Sequence, residues 1–275
     1  MGLGKSLAQF FVSQGSGVVI CGRTASTLNK SISELLQQAG ESQLIRGYEC
    51  DVANLRSVEE MSKSLLDENI PISILICNAG VIGPIGPFHQ TSPSEWNASF
   101  EINLKGVVNL VRSFLPRMIE GNWGRVIHIS GGGASSPLKG MSSYSASKAS
   151  AVRLIENLAL EYQDTNVTFN SVAPGIINSR LLSEMLDAGK EKIGESLYQR
   201  GLQRRTSNTD STEKALSLVA FLASEESSGI SGKLISAEWD NWMSWSKHAD
   251  ELQRTDSYTL RRITGRDRGF DWGDN

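Results

Sequence analysis

Cysteine and histidine, the residues that most often hold metal ions or form disulfides, are scarce in this sequence. The 275 residues include three cysteines and three histidines. They are Cys21, Cys50, Cys77, His89, His128 and His248. Neither set shows the spacing of a metal site. We therefore expect no metal, and we interpret the cysteines as buried thiols of a protein from the reducing cytoplasm.

Long hydrophobic runs and an excess of one charge are also missing. No apolar run approaches the roughly 18 residues that a membrane-spanning helix requires, and no secretory signal is visible. The formal net charge is −3, with 39% hydrophobic and 21% charged residues. This balance gives no support to nucleic acid or a membrane as a partner. The absence of a Gly-x-Ser-x-Gly motif argues against an acyl-transfer hydrolase. We expect a globular, cytoplasmic protein.

Short β-rich segments alternate with amphipathic helical segments along most of the chain. Strands are predicted at 17–22, 44–50, 72–77, 125–129, 167–172 and 233–237, and helices at 4–14, 26–38, 55–67, 92–119, 143–163 and 212–223. This alternation is typical of a parallel sheet covered on both faces, which makes a doubly wound α/β fold. We predict one domain over residues 1–238 and a Trp- and Arg-rich extension over residues 239–275. Pro116 is expected to disturb the end of its helix.

Tyr144 and Lys148 are four residues apart at the start of a predicted helix. This spacing puts a phenol and an ammonium on one helix face. An ammonium nearby favours the phenolate, so a Tyr that normally titrates near 10 could exchange protons closer to neutrality. The pair is therefore a candidate general acid or base for converting a carbonyl and an alcohol.

Several further distinctive residues come directly after predicted strands. They are Arg23, Asp51-Val52, Asn78-Ala79-Gly80, Ser130 and Pro174-Gly175. In open parallel sheets, ligands bind outside the carboxyl ends of the strands. This shared placement predicts a ligand site at one edge of the sheet.

With these residues in order, the sequence resembles the short-chain dehydrogenase/reductase family over residues 2–239. The matching motifs are Gly2-Leu3-Gly4, Asp51-Val52, Asn78-Ala79-Gly80, Asn103, Tyr144-Ser145-Ala146-Ser147-Lys148 and Pro174-Gly175 with Ser179. The resemblance implies a Rossmann fold and an NAD(P)-dependent oxidoreductase. It also implies interconversion of a carbonyl and a secondary alcohol on a small molecule, by a homo-oligomer that is a tetramer or dimer.

The resemblance assigns a role to each matching residue. Tyr144 would pass the proton, Lys148 would lower the Tyr144 pKa and hold the nicotinamide ribose, and Asn103 would position a water in a proton relay. The residues implied in cofactor binding are Gly2, Leu3, Gly4, Arg23, Asp51, Val52, Asn78, Ala79, Gly80, Tyr144, Lys148, Pro174, Gly175, Ile177 and Ser179. Two alternatives stay open: Asp51 could cap the next helix, and Asn103 could be an ordinary polar residue within a helix.

Arg23 bears on the choice of cofactor. Sheets that bind NAD end the second strand with an acid that accepts a hydrogen bond from the ribose 2′-hydroxyl. The corresponding strand of this sequence is the one predicted at 17–22. It ends in Cys21-Gly22-Arg23-Thr24, without an acid. A guanidinium can instead pair with a 2′-phosphate through two hydrogen bonds. We therefore predict NADP(H) in preference to NAD(H).

The start of the chain departs from the family pattern. Of the family's Thr-Gly-xxx-Gly-x-Gly turn, only Gly2 and Gly4 remain, and the strand before the turn is missing. That strand lies in the middle of the family's sheet, so the strands at 17–22 and 72–77 would lose their shared neighbour. We interpret the chain as a truncated or mis-started version of a longer protein. If Met1 is the true start, cofactor binding should be weak.

The catalytic serine is a second departure. The family places it thirteen residues before the tyrosine, where this chain has Gly131. Ser130 is one residue early and would point to the other face of a regular strand. A bulge among the glycines that follow could re-aim Ser130, which makes it our candidate. Ser142, Ser143 or a substrate group could polarise the carbonyl instead.

Other interpretations remain open, both of the function and of two segments of the chain. The missing strand and Gly131 favour a non-catalytic dinucleotide-binding or scaffold protein, whereas Tyr144, Lys148 and Asn103 argue against it. A sugar-nucleotide epimerase or dehydratase is a minor alternative. The segment 180–205 could be a substrate lid or could simply pack on the domain, and the extension after Ala237 is expected to form a subunit contact or lid.

Overall fold

The computed structural model describes residues 2–207 and 211–272, over which strands and helices alternate. Met1, on which the expectation of a mis-started chain depends, lies outside the described residues. The strands are β1 (Val18–Gly22), β2 (Ile45–Glu49), β3 (Ile74–Cys77), β4 (Gly124–Ile129), β5 (Val167–Ala173) and β6 (Lys233–Ser236). The helices are α1 (Leu3–Ser13), α2 (Ala25–Leu36), α3 (Leu55–Asp67), α4 (Pro93–Phe100), α5 (Gly106–Glu120), α6 (Ser142–Glu161), α7 (Arg180–Asp187), α8 (Lys190–Ile193), α9 (Glu195–Thr206), α10 (Ser211–Ala223) and α11 (Ala249–Arg254).

The strands form two parallel sheets rather than one. β1 pairs with β2, and the second sheet has the order β3-β4-β5-β6. Every pairing is parallel. Within residues 2–207 and 211–272, no strand bridges β1 and β3. The α/β fold is confirmed, and the sheet is divided where the family resemblance implied a missing strand.

Helices cover both faces of the larger sheet because its central strands are apolar on both sides. Ile127 and Ile129 of β4 face the core that includes α1 and α10. Val126, whose side chain points to the opposite face of the strand, lies in the core that includes α3 and α5. All six residues of β4 are buried. This alternation along one buried strand is what a doubly wound sheet requires.

Helix α1 connects the two sheets. Leu3 and Leu7 belong to the core of the larger sheet. Ala8 and Val12, one turn later, pack with Val18 and the rest of the core under β1 and β2. The two sheets are therefore joined by the apolar surface of one helix and not by strand pairing.

The predicted helix at 92–119 is divided in the structure. Ser92 caps α4, since its Oγ accepts a hydrogen bond from Glu95 N at 3.4 Å. A π-helical segment over Glu101–Lys105 then separates α4 from α5. The prediction that Pro116 disturbs the helix end is wrong, because α5 continues regularly to Glu120. Burial of Leu115 and Met118 on either side of the proline holds this last part of the helix.

The last part of the described chain packs on the larger sheet. Trp242, Trp245 and Leu252 lie in the core next to α10, whereas Trp239 is exposed. Tyr258 O accepts a hydrogen bond from Leu234 N at 2.7 Å, which covers the outer edge of β6. None of the described helices combines the length and apolar character needed to cross a membrane.

Candidate functional site

Helix α6 brings Tyr144 and Lys148 to the carboxyl end of β4. Lys148 Nζ donates a hydrogen bond of 2.7 Å to Ile129 O, the last residue of that strand. The Lys148 side chain is buried, and Tyr144 is partly buried. The Tyr144 hydroxyl lies directly against the backbone of Gly131. The two candidate catalytic side chains are thus held at the sheet edge where the sequence predicted a ligand site.

Burial dominates the protonation of this pair. It raises the pKa of Tyr144 to about 12 and lowers the pKa of Lys148 to about 8. The expectation that Lys148 lowers the Tyr144 pKa is therefore not met, because burial alone accounts for the shift: a phenolate is costly in an apolar surrounding. Tyr144 packs with the apolar residues Ile82, Met141 and Leu182, which explains that cost.

Asn103 lies in the π-helical segment and is fully buried. Its Nδ2 donates to Val81 O and to Ser147 Oγ, both at 2.9 Å, and its Oδ1 accepts from Val81 N at 2.8 Å. Asn103 is therefore not an ordinary polar residue within a regular helix. Its side chain connects Val81, in the chain after β3, to Ser147 of α6, the residue before Lys148.

Ser130 does not occupy the position that faces Tyr144. Ser130 N donates to Val172 O at 2.7 Å, so the pairing with β5 continues without a bulge. Gly131 is extended, which leaves successive side chains on opposite faces. The Ser130 hydroxyl is nevertheless buried, with no hydrogen-bond partner in the described part of the chain. The bulge that would re-aim Ser130 toward Tyr144 is therefore absent, and its hydroxyl is enclosed on the other face of the chain.

The two other serines considered for this role are engaged elsewhere. Ser142 Oγ accepts a hydrogen bond of 3.0 Å from Trp96 Nε1. Ser143 Oγ lies 3.3 Å from Ser99 Oγ and 3.4 Å from Ile82 O. Both hydroxyls therefore hold α6 against the chain before it.

Asp51 and Val52 follow β2 and shape the loop before α3. Asp51 Oδ1 accepts from Ala53 N at 3.1 Å, within its own loop. The side-chain cap of α3 is Asn54 and not Asp51, which removes the alternative of Asp51 as the helix cap. Val52 is buried, and its carbonyl accepts from Asn109 Nδ2 at 2.8 Å.

The first glycines contact the turn after β3. Gly2 precedes α1 with a φ of 125°, a conformation that favours glycine. Leu3 is buried in the core. A Cβ on Gly4 would lie 2.5 Å from Asn78 Nδ2, so the start of α1 approaches the Asn78–Gly80 turn closely. These residues meet although a strand between β1 and β3 is absent from the described chain.

The remaining predicted cofactor residues lie along the same edge. Arg23 follows β1 and is exposed. Ala79 is exposed, Pro174 is buried, and Ile177 is half-buried. Gly175 has a φ of 81°, where a Cβ would lie 2.8 Å from Glu238 Oε2. Ser179 precedes α7 without a side-chain cap.

Helices α7 to α9, which correspond to the predicted lid, pack over Tyr144. Leu182, Met185 and Leu186 are buried in the cluster that contains Ile82 and, at its margin, Tyr144. The segment therefore packs on the domain beside Tyr144.

The prediction that all three cysteines are buried is wrong for Cys21. Cys50 and Cys77 are buried, but Cys21 is exposed. Whether a strand residue such as Cys21 is buried depends on what packs over its face of the sheet, and the composition of the strand does not show this.

His128 is buried, and its Nδ1 lies 3.2 Å from Ser171 Oγ.

Sequence reasoning missed Ser147 as part of the site. Its Oγ accepts from Asn103 and donates to Tyr144 O at 2.9 Å. It therefore links the helix turn of Tyr144 to the π-helical segment. The signal was its position inside the Tyr144–Lys148 motif, three residues after the tyrosine, on the same helix face.

Comparison with known proteins agrees with this geometry. The model of the short chain dehydrogenase family matches residues 1–189. The NADP-dependent 3-hydroxy acid dehydrogenase YdfG of Escherichia coli (strain K12) is 32% identical over 198 residues, which cover 72% of this chain and 77% of that protein.

Two crystal structures extend the comparison. Levodione reductase has a TM-score of 0.77 at 23% identity, covering 88% of this chain and 93% of its own, and shows the shared fold. Serine dehydrogenase from Escherichia coli has a TM-score of 0.58 at 33% identity, covering 64% of this chain and 79% of its own. The chain therefore belongs to the short-chain dehydrogenase family of NAD(P)-dependent oxidoreductases.

Proposed function

We propose that this protein interconverts a carbonyl and a secondary alcohol on a small molecule, with Tyr144 as general acid or base. One observation carries the proposal. Tyr144 Oη lies at Gly131 and Lys148 Nζ lies 2.7 Å from Ile129 O, so both reach the carboxyl end of β4. Because ligands of parallel α/β sheets bind outside this edge, the pair stands beside the expected substrate position.

The residues around the pair fit a nicotinamide cofactor. A Cβ on Gly80 would lie 3.3 Å from both Lys148 Nζ and Asn103 Oδ1. Glycine therefore keeps the turn after β3 open beside the ammonium. The residues that would hold the cofactor, besides Lys148, are Gly2, Leu3, Gly4, Arg23, Asp51, Val52, Asn78, Ala79, Gly80, Tyr144, Pro174, Gly175, Ile177 and Ser179. The nicotinamide, when bound, supplies or accepts the hydride.

The protonation states favour reduction. With its pKa raised to about 12, Tyr144 is protonated at neutral pH and can donate its proton to a carbonyl oxygen as that oxygen gains negative charge. Lys148, with a pKa lowered to about 8, is still mostly charged at pH 7 and stabilises the phenolate left on Tyr144. Oxidation of an alcohol needs the phenolate first, so it should accelerate as pH rises.

Ser130 stays the candidate for polarising the carbonyl only if substrate binding turns its hydroxyl toward Tyr144, because in this structure Gly131 faces the phenol. Its buried hydroxyl has no partner in the described chain. Removing a single such donor typically lowers turnover about 10²–10³-fold. Unchanged turnover in Ser130→Ala would remove this assignment.

Arg23 supports a preference for NADP(H). Its guanidinium is exposed at the end of β1, where an acid would serve NAD. The relative YdfG is named NADP-dependent. In titrations followed by cofactor fluorescence, NADPH should bind more tightly than NADH, and Arg23→Ser should weaken NADPH alone. Tighter NADH binding by the unmodified protein would reverse the proposal.

Turnover of NADPH with a panel of carbonyl compounds tests the function. The panel contains ketones, keto-sugars and 3-keto acids, the last because YdfG is named for 3-hydroxy acids. Tyr144→Phe should lose about 10²–10⁴-fold in turnover but weaken NADPH binding far less, because it removes only the hydroxyl of one of the residues that would hold the cofactor. Tyr162→Phe is the matched control, since Tyr162 follows the end of the same helix and packs on Phe169.

The second candidate is a non-catalytic dinucleotide-binding or scaffold protein. It is favoured by the division of the described sheet between β1 and β3 and by Gly131 in place of a serine. NADPH binding without turnover of any panel member would support this candidate. Equal activity of Tyr144→Phe and the unmodified protein would also contradict the catalytic proposal.

We also propose that the protein acts as a cytoplasmic homo-oligomer, a tetramer or dimer. Trp239 and Met243 are exposed by 77% and 74% and offer apolar surface for a subunit contact. Light scattering after size-exclusion chromatography gives the mass of the assembly. A monomer at micromolar concentration would contradict this part of the proposal.

A further inference from the structure

The turn after β5 lies beside the residue that follows the end of β6. Ala237 N donates to Ala173 O at 3.0 Å, so the two chains stay paired up to the point where both leave the sheet. Gly175 then has a φ of 81°, and a Cβ on it would lie 2.8 Å from Glu238 Oε2. The backbone of the Gly175 turn, residues 174–179, therefore packs directly against the Glu238 carboxylate.

The Glu238 carboxylate also contacts helix α9. Its Oε1 accepts a hydrogen bond of 3.0 Å from Arg204, and the two side chains form an ion pair. The Arg204 side chain is 14% exposed and the Glu238 side chain 23% exposed. An ion pair that is shielded from water is screened less than one on the open surface. One carboxylate therefore joins the last turn of α9 to the Gly175 turn.

The segment formed by α7 to α9, residues 180–206, begins and ends at the same place. Helix α7 starts at Arg180, directly after the Gly175 turn. The last turn of α9 returns to that turn through Arg204. The contact between Arg204 and Glu238 therefore closes the segment into a loop whose two ends are both held at the Gly175 turn.

Packing within this segment leads from Arg204 to Tyr144. Arg204 follows Gly201 by three residues, so the two residues lie on the same face of α9. A Cβ on Gly201 would lie 2.9 Å from Met185 Cε and 3.0 Å from Leu186 Cδ2, so α9 packs closely on α7. Met185 and Leu186 belong to the cluster that has Tyr144 at its margin. A displacement of α9 would therefore disturb the packing beside Tyr144.

We infer that Arg204 and Glu238 are positioning residues whose ion pair fastens α9 to the Gly175 turn. The pair holds the segment 180–206 and the turn together as one unit. The consequence for binding rests on the proposed function, in which the turn contacts the nicotinamide cofactor. When the pair is broken, α9 and the turn move independently, so cofactor and substrate should bind more weakly. The chemical step should change little, because neither side chain belongs to the catalytic pair.

Hydrogen exchange measured by mass spectrometry tests the ion pair without any activity. Glu238→Gln keeps the shape of the side chain and removes its charge, and Arg204→Met removes the partner. Without cofactor, each variant should exchange about fivefold faster than the unmodified protein in both α9 and the Gly175 turn. Arg205→Met is the matched control, because Arg205 is exposed in the same turn of α9. Faster exchange in only one of the two regions, or in neither, would overturn the inference.

Cofactor titration and steady-state kinetics test the consequence separately. Each single variant should bind NADPH about fivefold more weakly and raise the KM of the carbonyl compound that the unmodified protein reduces best, with kcat changed by less than about twofold. The double variant Arg204→Met/Glu238→Gln should bind no more weakly than either single variant, because both substitutions break the same pair.

The outcomes separate the ion pair from the proposed function. Additive losses in the double variant, or unchanged NADPH affinity in both single variants, would overturn the link between the pair and the binding site. If the unmodified protein binds no NADPH, the proposed function fails, and hydrogen exchange alone decides whether Arg204 and Glu238 fasten α9 to the Gly175 turn.

Discussion

The hydroxyl of Tyr144 lies against the backbone of Gly131, in the space that a side chain at position 131 would fill. A Cβ on Gly131 would overlap Tyr144 Oη and lie 3.3 Å from Cζ. A Cβ on Gly133 would approach the same ring to 3.0 Å. The Tyr144 ring therefore packs against glycine backbone. A serine side chain at position 131 would collide with the Tyr144 hydroxyl in this position.

We predict that Gly131→Ala displaces Tyr144, because the added methyl and the hydroxyl cannot share the space. Overpacking of this kind typically costs about 1–3 kcal/mol of stability, and turnover should fall with it. Gly131→Ser should act in the same direction, although the family resemblance implies a serine there. Thermal melts and turnover of NADPH measure both effects.

Gly132→Ala is the control for this prediction. A Cβ on Gly132 has no atom within 4 Å among the described residues, so stability and turnover should change little. A rise in turnover in Gly131→Ser would show that the missing hydroxyl matters more than the position of the phenol.

We predict that Lys148 makes stability rise with pH. Burial lowers its pKa from 10.5 to about 8, so between these values the unfolded chain binds more protons than the folded chain. The free energy of unfolding then increases with pH in this window. Between pH 8 and 10, the unmodified protein should gain on the order of 2 kcal/mol relative to Lys148→Met.

Urea denaturation at several pH values measures this difference. Because both proteins contain the same other titrating groups, the contributions of those groups cancel in the difference. Tyr144 is one of them, and its contribution to the free energy of unfolding falls only above pH 10. A difference that does not change between pH 8 and 10 would mean that Lys148 is solvated rather than buried.

We predict that Asn103→Asp destabilises the protein by about 1–3 kcal/mol, because Val81 O and Ser147 Oγ lose a buried donor. The carboxylate of the variant can still accept the hydrogen bond from Val81 N. The variant therefore loses only the two bonds that Asn103 Nδ2 donates. Asn97→Asp makes the same chemical change at an exposed position of α4 and should be close to neutral. Equal melting temperatures for the two variants would contradict the network.

We predict that Lys233 holds the C-terminal segment on the sheet edge. Its buried Nζ donates to Thr255 O and Ser257 O, both at 3.0 Å. Lys233→Met removes two charge-assisted hydrogen bonds and should cost about 1–3 kcal/mol. Limited proteolysis should then cut within residues 255–272 faster than in the unmodified protein.

Lys247→Met is the matched control, since Lys247 is exposed at the start of the same extension. It should leave the cleavage rate unchanged. Protection of residues 255–272 in Lys233→Met would indicate that packing of Trp245 against Tyr258, with ring centres 4.3 Å apart, suffices to hold the segment.

Much of the fold could be predicted because the evidence is local. The period of apolar residues placed α3 at Leu55–Asp67 as predicted, and β1 within one residue of its bounds. The division of the sheet followed from the family resemblance and the missing strand. The π-helical segment around Asn103 was not predicted, since it depends on hydrogen bonds to Val81 and Ser147, which are distant in sequence.

The candidate site divides in the same way. The sequence alone determined which chemical groups come to the sheet edge, because a parallel sheet brings every residue after a strand to one side. Tertiary structure decided how those groups behave. Burial sets the pKa of Tyr144 and Lys148, the path of the chain after β4 puts Gly131 rather than Ser130 against the phenol, and the open face of β1 exposes Cys21. Each of these three features depends on packing between residues that are distant in sequence. Desolvation and steric contact arise only from that packing, so the sequence pattern alone could not predict them.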